Sequence, residues 1–205
     1  MKSNVRGIVF DLGGVLVRLD SKPFFEALGY RHGKTVKACI DAIEAWTVYD
    51  RWERGFVTER QAFEAFRKWF SVPEMTIGEF RRHWNGIFPG AGPNVGRTLL
   101  RLKKKYRIYL LSNTVDTHFR YLRANFPWLR QFNRVFTSFG LGSRKPEPEI
   151  FRRMLRRIRI EPGRLIYIDD RPENVEAARK LGFRALRCPD PDHLGKLLRK
   201  HGLLP

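Results

Sequence analysis

The stretch Val5-Arg6-Gly7-Ile8-Val9-Phe10-Asp11-Leu12-Gly13-Gly14-Val15-Leu16 sets an acidic residue directly behind a short apolar run and just ahead of a glycine pair. Runs of this kind, rich in β-branched and aromatic residues, read as buried strands, so Asp11 is delivered to a strand's rim. A second run, Leu165-Ile166-Tyr167-Ile168, ends in the same way in Asp169-Asp170. In a parallel sheet the carboxyl ends of the strands open onto one crevice, where ligands bind. Three carboxylates meeting there repel one another unless a cation or shared protons offset the charge. A hard divalent ion with oxygen ligands, most simply magnesium, resolves the conflict.

Further apolar runs at Ile108 to Leu111, Val135 to Phe136 and Ala185 to Leu186 alternate with helix-like stretches. Strand alternating with helix means a parallel α/β sheet. Helices are expected over Thr114 to Asn125, Glu147 to Arg157, Glu173 to Leu181 and Pro191 to His201, with Pro93 to Lys105 as the helix that leads into strand two. The chain between Phe10 and Ile108 is far longer than one crossover helix requires. Apolar residues recur there at helical spacing, as Ile40, Ile43 and Trp46 and as Phe63, Phe66 and Phe70. The expected fold is therefore α/β: a Rossmann-like three-layer core with a parallel sheet over 1–16 and 90–205, plus a small helical cap domain inserted over 17–89. The aromatic residues of the insertion are expected to form its own small core.

At 205 residues and 42% hydrophobic content, the chain can bury one substantial core, or a core and a smaller insertion. It has no run of about 18 apolar residues to span a bilayer and no signal-peptide pattern, which predicts a cytoplasmic protein without a membrane partner. Cys39 and Cys188 fit neither a CxxC nor a Cys/His spacing and read as reduced thiols. The formal charge of +19 admits solvated helix faces, steering of anionic substrates, or nucleic-acid binding. In Phe151 to Ile158 the arginines fall opposite an apolar stripe of Phe151, Met154, Leu155 and Ile158. Solvated faces are the first reading, and a nucleic-acid partner, for which no motif is present, is not expected.

Two more segments bring chemistry to the same sheet edge. Strand two ends in Ser112-Asn113-Thr114, where a hydroxyl and the N–H groups of a helix start would make an anion site. Lys145, in Ser143-Arg144-Lys145-Pro146-Glu147, could bring an ammonium there. Each part alone has a plainer reading, as a helix cap for the Ser and Asp clusters and as a surface turn for Lys145-Pro146. Together they are the parts needed to bind a phosphoryl group and move it onto an aspartate.

Phe10-Asp11-Leu12-Gly13-Gly14-Val15-Leu16, Leu111-Ser112-Asn113-Thr114, Arg144-Lys145-Pro146-Glu147 and Ile168-Asp169-Asp170-Arg171-Pro172-Glu173-Asn174 resemble, in order, the four motifs of the haloacid dehalogenase-like (HAD) hydrolase superfamily. The resemblance covers nearly the whole chain. It is nearest to a subgroup with Asp-Leu-Gly-Gly or Asp-Leu-Gly-Asn at the first motif, which includes bacterial glucose-1-phosphate phosphatases and is similar to the phosphatase domain of soluble epoxide hydrolases. Glu53-Arg54-Gly55 also looks like that subgroup. The resemblance implies a magnesium-dependent phosphatase acting on a small phosphorylated metabolite, such as a sugar phosphate, under a cap. Asp11 is then the nucleophile that becomes an aspartyl phosphate. Ser112, Asn113 and Lys145 bind the phosphate, and Lys145 also keeps Asp11 ionised. Asp11, the Gly13 carbonyl and Asp170 ligate magnesium, with Asp169 acting through water or as a further ligand, and Asn174 supports the acidic loop.

One position departs from the superfamily pattern. Most of its phosphatases place a second Asp two residues after the nucleophile, as general acid and base, where this chain has Gly13. Such a group contributes about 10² to 10⁴ in rate. Asp20 is a candidate substitute, with helix capping as its other reading. The missing acid also reopens metal-independent dehalogenation of 2-haloacids, which attacks carbon with the same aspartate, and a weakly active or inactive member acting as a basic binding module. The pair Asp169-Asp170 beside Lys145 argues for a cation and so ranks the phosphatase first. Candidates for substrate specificity are Asp20, Trp52 and Arg54, with Tyr49 and Phe56 nearby; packing is the other role open to the aromatics.

Overall fold

The structure, a computed structural model, describes residues 5–27, 43 and 46–205. The strands β1 (Gly7–Phe10), β2 (Arg107–Ser112), β3 (Arg134–Thr137), β4 (Leu165–Asp169) and β5 (Arg184–Arg187) form one sheet in the order β3-β2-β1-β4-β5, with every neighbouring pair parallel. Helices α1 (Lys22–Ala27), α2 (Thr47–Glu53), α3 (Glu59–Trp69) and α4 (Ile77–Asn85) lie between β1 and β2. The helices α5 (Val95–Lys103), α6 (Asp116–Asn125), α7 (Ser138–Leu141), α8 (Pro148–Ile158), α9 (Pro172–Lys180) and α10 (Leu194–Lys200) accompany the remaining strands.

β1 takes the centre of the sheet because its residues are buried on both faces. Side chains alternate along a strand, and the two resulting sets feed separate cores. Ile8 and Phe10 join Ile108, Leu110, Ile166 and Ile168 in a layer closed by Leu99 of α5, Leu122 of α6 and Leu198 of α10. Val9 joins Leu111, Leu165 and Tyr167 in the other, closed by Phe151 and Met154 of α8 and Val175 of α9. The expected stripe on α8 is observed: Phe151, Met154 and Ile158 are buried while Arg152, Arg156 and Arg157 face solvent. These three arginines form a solvated helix face.

A third cluster belongs mainly to the chain between β1 and β2. Phe24, Phe25, Trp46, Trp52, Phe63, Phe66, Phe80 and Trp84 are buried together, with Ile43 and with Val115 of the loop before α6. Capping boxes at Thr58/Gln61 and Thr76/Glu79 start α3 and α4. Each cap is worth roughly 0.5–2 kcal/mol, and it fixes where the amphipathic face begins. Ile40 and Cys39 lie outside the described residues; Cys188 is buried and free.

Element ends differ from the expected ones where side chains outcompete the helix. Thr114 and Val115 remain outside α6, because the Thr114 N–H donates to Ser138 Oγ at 3.0 Å and Val115 is extended, at φ −95° and ψ 158°. The stretch expected as one helix from Pro191 divides into a 3-10 turn, Pro191–His193, capped by Asp190, and then α10. No helix of the described residues is long and apolar enough to cross a membrane.

Gly55, just after α2, has φ +73°, and a Cβ there would stand 2.6 Å from the Phe139 carbonyl oxygen of α7. Both the backbone conformation and the close approach require glycine. Gly55→Ala is expected to cost about 1–3 kcal/mol in urea unfolding; an unchanged midpoint would show that this contact is not maintained in solution.

Candidate active site

The sheet register brings the acids together. Phe10 pairs with Leu110 on one side and with Ile168 on the other, so the next residue of each strand emerges at one level. The Asp11 N–H continues the ladder by donating to the Ile168 carbonyl at 2.8 Å. Carboxylate oxygens of Asp11, Asp169 and Asp170 consequently lie within 4.8 Å of one another. Lys145, 2% exposed, extends its Nζ between two of them, 2.8 Å from Asp11 and 2.7 Å from Asp169.

The electrostatics follow from that burial. Burial pushes the Asp11 carboxyl up, Lys145 opposes the shift, and Asp169 and Asp170 add to it, leaving a value of about 7. Burial also works against the Lys145 ammonium, but Asp11 and Asp169 more than offset it and hold its pKa above the ordinary value. Asp170 is raised by burial and then by Asp169. Asp169 resists the same burial and is lowered, because Lys145, the Tyr167 hydroxyl and Asn174 all act on its charged form.

Asp169 is the most fully bonded of the three acids. Its Oδ2 accepts from Lys145 Nζ and from Tyr167 Oη, while its Oδ1 accepts from the Arg171 N–H at 3.0 Å and from Asn174 Nδ2 at 2.9 Å. Asn174 thus bonds the acidic loop through Asp169. Tyr167 was invisible as a site residue in the sequence, where it reads as strand core. Gly14 has φ +74°, and a Cβ on it would stand 2.4 Å from Asp170 Oδ2, so its bareness makes room for that carboxylate.

The contacts give several of the expected site residues partners within the protein. The Asn113 side chain is engaged by the Lys145 backbone: it donates to the Lys145 carbonyl at 2.9 Å and accepts from the Lys145 N–H at 2.8 Å, fixing the lysine in place. Ser112 is buried at the end of β2, and its hydroxyl donates to the Asn113 carbonyl at 3.3 Å. The expected helix start at Ser112 to Thr114 is absent, since α6 begins at Asp116. Trp52 is core rather than specificity: it is 1% exposed, stacks on Phe80 and Trp84, and donates from Nε1 to Asp116 Oδ1 at 3.0 Å. Arg54 is spent on carboxylates, donating to Asp50 at 2.8 Å and to Glu147 at 3.0 Å, which ties α2 to the Lys145 loop. Asp20 is exposed and accepts from the Lys22 N–H at 3.0 Å at the start of α1. Phe56 is 58% exposed.

A cavity of about 440 Å³ opens over the acids and is lined by Asp11, Gly13, Asn113, Lys145, Asp170 and Asn174 from the sheet side. Across from them stand Phe24, Phe25, Tyr49, Glu53, Trp84 and Ile87, together with His118 and Arg144. Burial lowers the His118 pKa to about 4, and its Nε2 bonds the Trp84 carbonyl at 2.9 Å, so the ring is neutral. Glu53 and His118 had no distinguishing sequence signal beyond the Glu53-Arg54-Gly55 likeness. Only the approach of α2 and α6 to one cavity puts them there.

With the geometry in hand, likeness to known proteins becomes specific. A model of the haloacid dehalogenase-like hydrolase family matches residues 5–182. The chain belongs to that family and is an enzyme of the hydrolase class. It is 27% identical over 195 residues, 89% of this chain and 91% of the relative, to a D-ribitol-5-phosphate phosphatase of Bacteroides thetaiotaomicron. It is 26% identical to the sesquiterpene phosphatase astK of Aspergillus oryzae, over 93% of each chain. Among solved structures, a HAD family enzyme of Bacteroides thetaiotaomicron in complex with magnesium and inorganic phosphate is 27% identical, with a TM-score of 0.79 over 89% of this chain and 93% of that one.

The Arg54 clamp has a pH signature. Asp50 and Glu147 are both held below their ordinary values of 3.8 and 4.5, chiefly by hydrogen bonds from Arg54. A carboxyl lowered by folding adds stability above its unfolded value and loses it as pH falls through the folded one. Thermal melting should therefore drop on acidification from those values downward, and Arg54→Ala should be less stable at neutral pH with a shallower acid limb. Because these side chains are partly exposed, the difference is modest and falls with added salt. Parallel melting curves for the two proteins across the acid range would count against the clamp.

Proposed function

We propose that the chain is a magnesium-dependent phosphatase that hydrolyses phosphate monoesters of small metabolites, sugar phosphates among them, through an aspartyl phosphate on Asp11. The observation that supports this most directly is charge balance: three carboxylates have oxygens within 4.8 Å of one another, and the Lys145 ammonium pairs with two of them, Asp11 and Asp169. That leaves an excess of negative charge in a buried place, and burial already drives Asp11 toward its protonated form. A divalent cation held by Asp11, Asp170 and the Gly13 carbonyl removes the excess, and an all-oxygen donor set suits magnesium better than softer metals. Bound there, magnesium would keep Asp11 ionised and withdraw charge from the phosphoryl oxygens. A solved relative holds magnesium and inorganic phosphate, which supports a magnesium-dependent reading here.

The chain's own groups supply the rest of the reaction. Asp11 attacks phosphorus as the bond to the alcohol oxygen breaks, and water then attacks the aspartyl phosphate to release inorganic phosphate and free Asp11. Lys145 neutralises a phosphoryl oxygen, and Ser112 would turn its hydroxyl from the Asn113 carbonyl toward another. Asp169, with both oxygens engaged by the protein, holds Lys145 and the loop rather than meeting the metal directly. Asn113 positions Lys145 through its backbone. Residues 17–89 act as the cap, shedding water and limiting the substrate to small molecules. Metal-free attack on a haloacid has no use for the Asp169-Asp170 pair, which places that chemistry second.

The test is a panel of phosphorylated metabolites, with p-nitrophenyl phosphate and acetyl phosphate, assayed for phosphate release. Release should require magnesium, stop with a chelator, return when magnesium is restored, and fall by roughly 10³-fold or more in Asp11→Asn. Silence across the panel, or turnover indifferent to chelation, would overturn the reading.

A further inference from the structure

Gly13 leaves the proposed reaction without its usual proton donor, and the cavity offers few replacements among the described residues. Asp20 is exposed and caps α1. His118 is neutral, and the hydrogen on its Nε2 is committed to the Trp84 carbonyl. Arg144 pairs with Asp50 and Glu53, Asp11 and Asp169 hold Lys145 in its charged form, and Asp11 and Asp170 are needed as carboxylates. Glu53 remains. It comes from the last turn of α2, is 4% exposed, and lines the same cavity as Asp11 and Lys145.

The surroundings of Glu53 position it without saturating it. The Tyr49 hydroxyl donates to its Oε1 at 3.2 Å. Arg144 pairs with Oε2 through Nη2 at 3.0 Å while its Nη1 donates to Asp50 at 3.2 Å, so the buried Oε2 has an ionic neighbour but no hydrogen bond. A buried carboxylate that lacks a hydrogen bond on one oxygen costs more than the neutral carboxyl in the same place. Burial accordingly raises its pKa, against the opposing pull of Arg144, Tyr49 and Lys145 and with a further upward push from Asp50.

We propose that Glu53 is the general acid and base of this enzyme, supplied by the helical segment opposite the sheet edge in place of the residue absent at position 13. The proposal rests on the phosphatase reading above. As the phosphorus–oxygen bond breaks, its electron pair stays with the alcohol oxygen, which takes the proton from the Glu53 carboxyl. The resulting carboxylate then takes a proton from water as the water oxygen attacks the aspartyl phosphate. The bond between phosphorus and Asp11 breaks, its electrons return to the Asp11 carboxylate, and Glu53 is protonated again.

The experiment compares kcat/KM, which reports the step in which the alcohol leaves, for acetyl phosphate and for the alkyl phosphate that the wild type hydrolyses fastest in the panel. Acetate needs little protonation on departure, whereas an alkoxide needs a great deal. In Glu53→Gln the alkyl ester should therefore lose about 10²-fold more than acetyl phosphate. The nearest atoms to a Cβ at position 13 belong to Leu19, a 53% exposed side chain whose tip, at 2.9 Å, is free to turn aside. Adding Gly13→Asp to Glu53→Gln should restore alkyl phosphate hydrolysis, which a merely structural role for Glu53 would not allow. Equal losses on both substrates with no rescue, an effect confined to KM, or no effect would each overturn the proposal. So would a wild type that turns over acetyl phosphate but no alkyl phosphate, since that is the selectivity of a site without an acid. If the wild type hydrolyses neither with magnesium present, the phosphatase reading itself fails, and this proposal with it.

Discussion

A buried ammonium held between two buried carboxylates is the constraint on which the site depends. Lys145 Nζ lies within 2.8 Å of Asp11 and 2.7 Å of Asp169 in a place that water scarcely reaches. Desolvating such charges costs several kcal/mol each, and only mutual attraction with well-made hydrogen bonds offsets it. Removing one partner of such an arrangement typically costs about 3–5 kcal/mol, because the others are left uncompensated. The surrounding structure is consequently organised to keep all three in place. Asn113 fixes the lysine's backbone from one side, and Tyr167, Asn174 and the Arg171 N–H complete the bonding of Asp169 from the other.

The same bonding divides labour among three acids that look alike in sequence. Asp169 has no oxygen to spare and is locked in its charged form. Asp11 and Asp170 are raised, which marks them as the pair that gains most from an added cation. An adjacent Asp-Asp pair thus separates into one residue that organises the site and one that faces the cavity, with Gly14 leaving room for the second.

The helical segment between β1 and β2 is attached to the sheet side at specific points. Arg54 reaches Glu147, Arg144 reaches Asp50, Trp52 reaches Asp116, and Glu59 accepts from Thr117 at 2.7 Å and pairs with Arg120 at 3.3 Å. Gly55 lets α2 approach α7 closely enough for these contacts to form. Two of the ties end on neighbours of Lys145, so the placement of α2 and the placement of the lysine are linked physically. Residues that look like substrate contacts by composition, Trp52 and Arg54, are occupied with this attachment instead.

The sequence by itself determined the parallel sheet, its strands and the acids at their ends. Apolar runs of β-branched and aromatic residues can be buried only one way, and Asp11 and Asp169-Asp170 follow those runs directly. It also determined the solvated arginine face of α8, because helical periodicity separates charge from core within one element. What needed the tertiary structure was every role that depends on a partner distant in sequence. The amide of Asn113 faces a backbone 32 residues away, Arg54 a carboxylate 93 residues away, and Trp52 one 64 residues away. Glu53 and His118 enter the cavity only because helices from different parts of the chain meet there. A side chain's chemistry is written in its own residue, but its availability is decided by which hydrogen-bond partners the fold brings within about 3 Å.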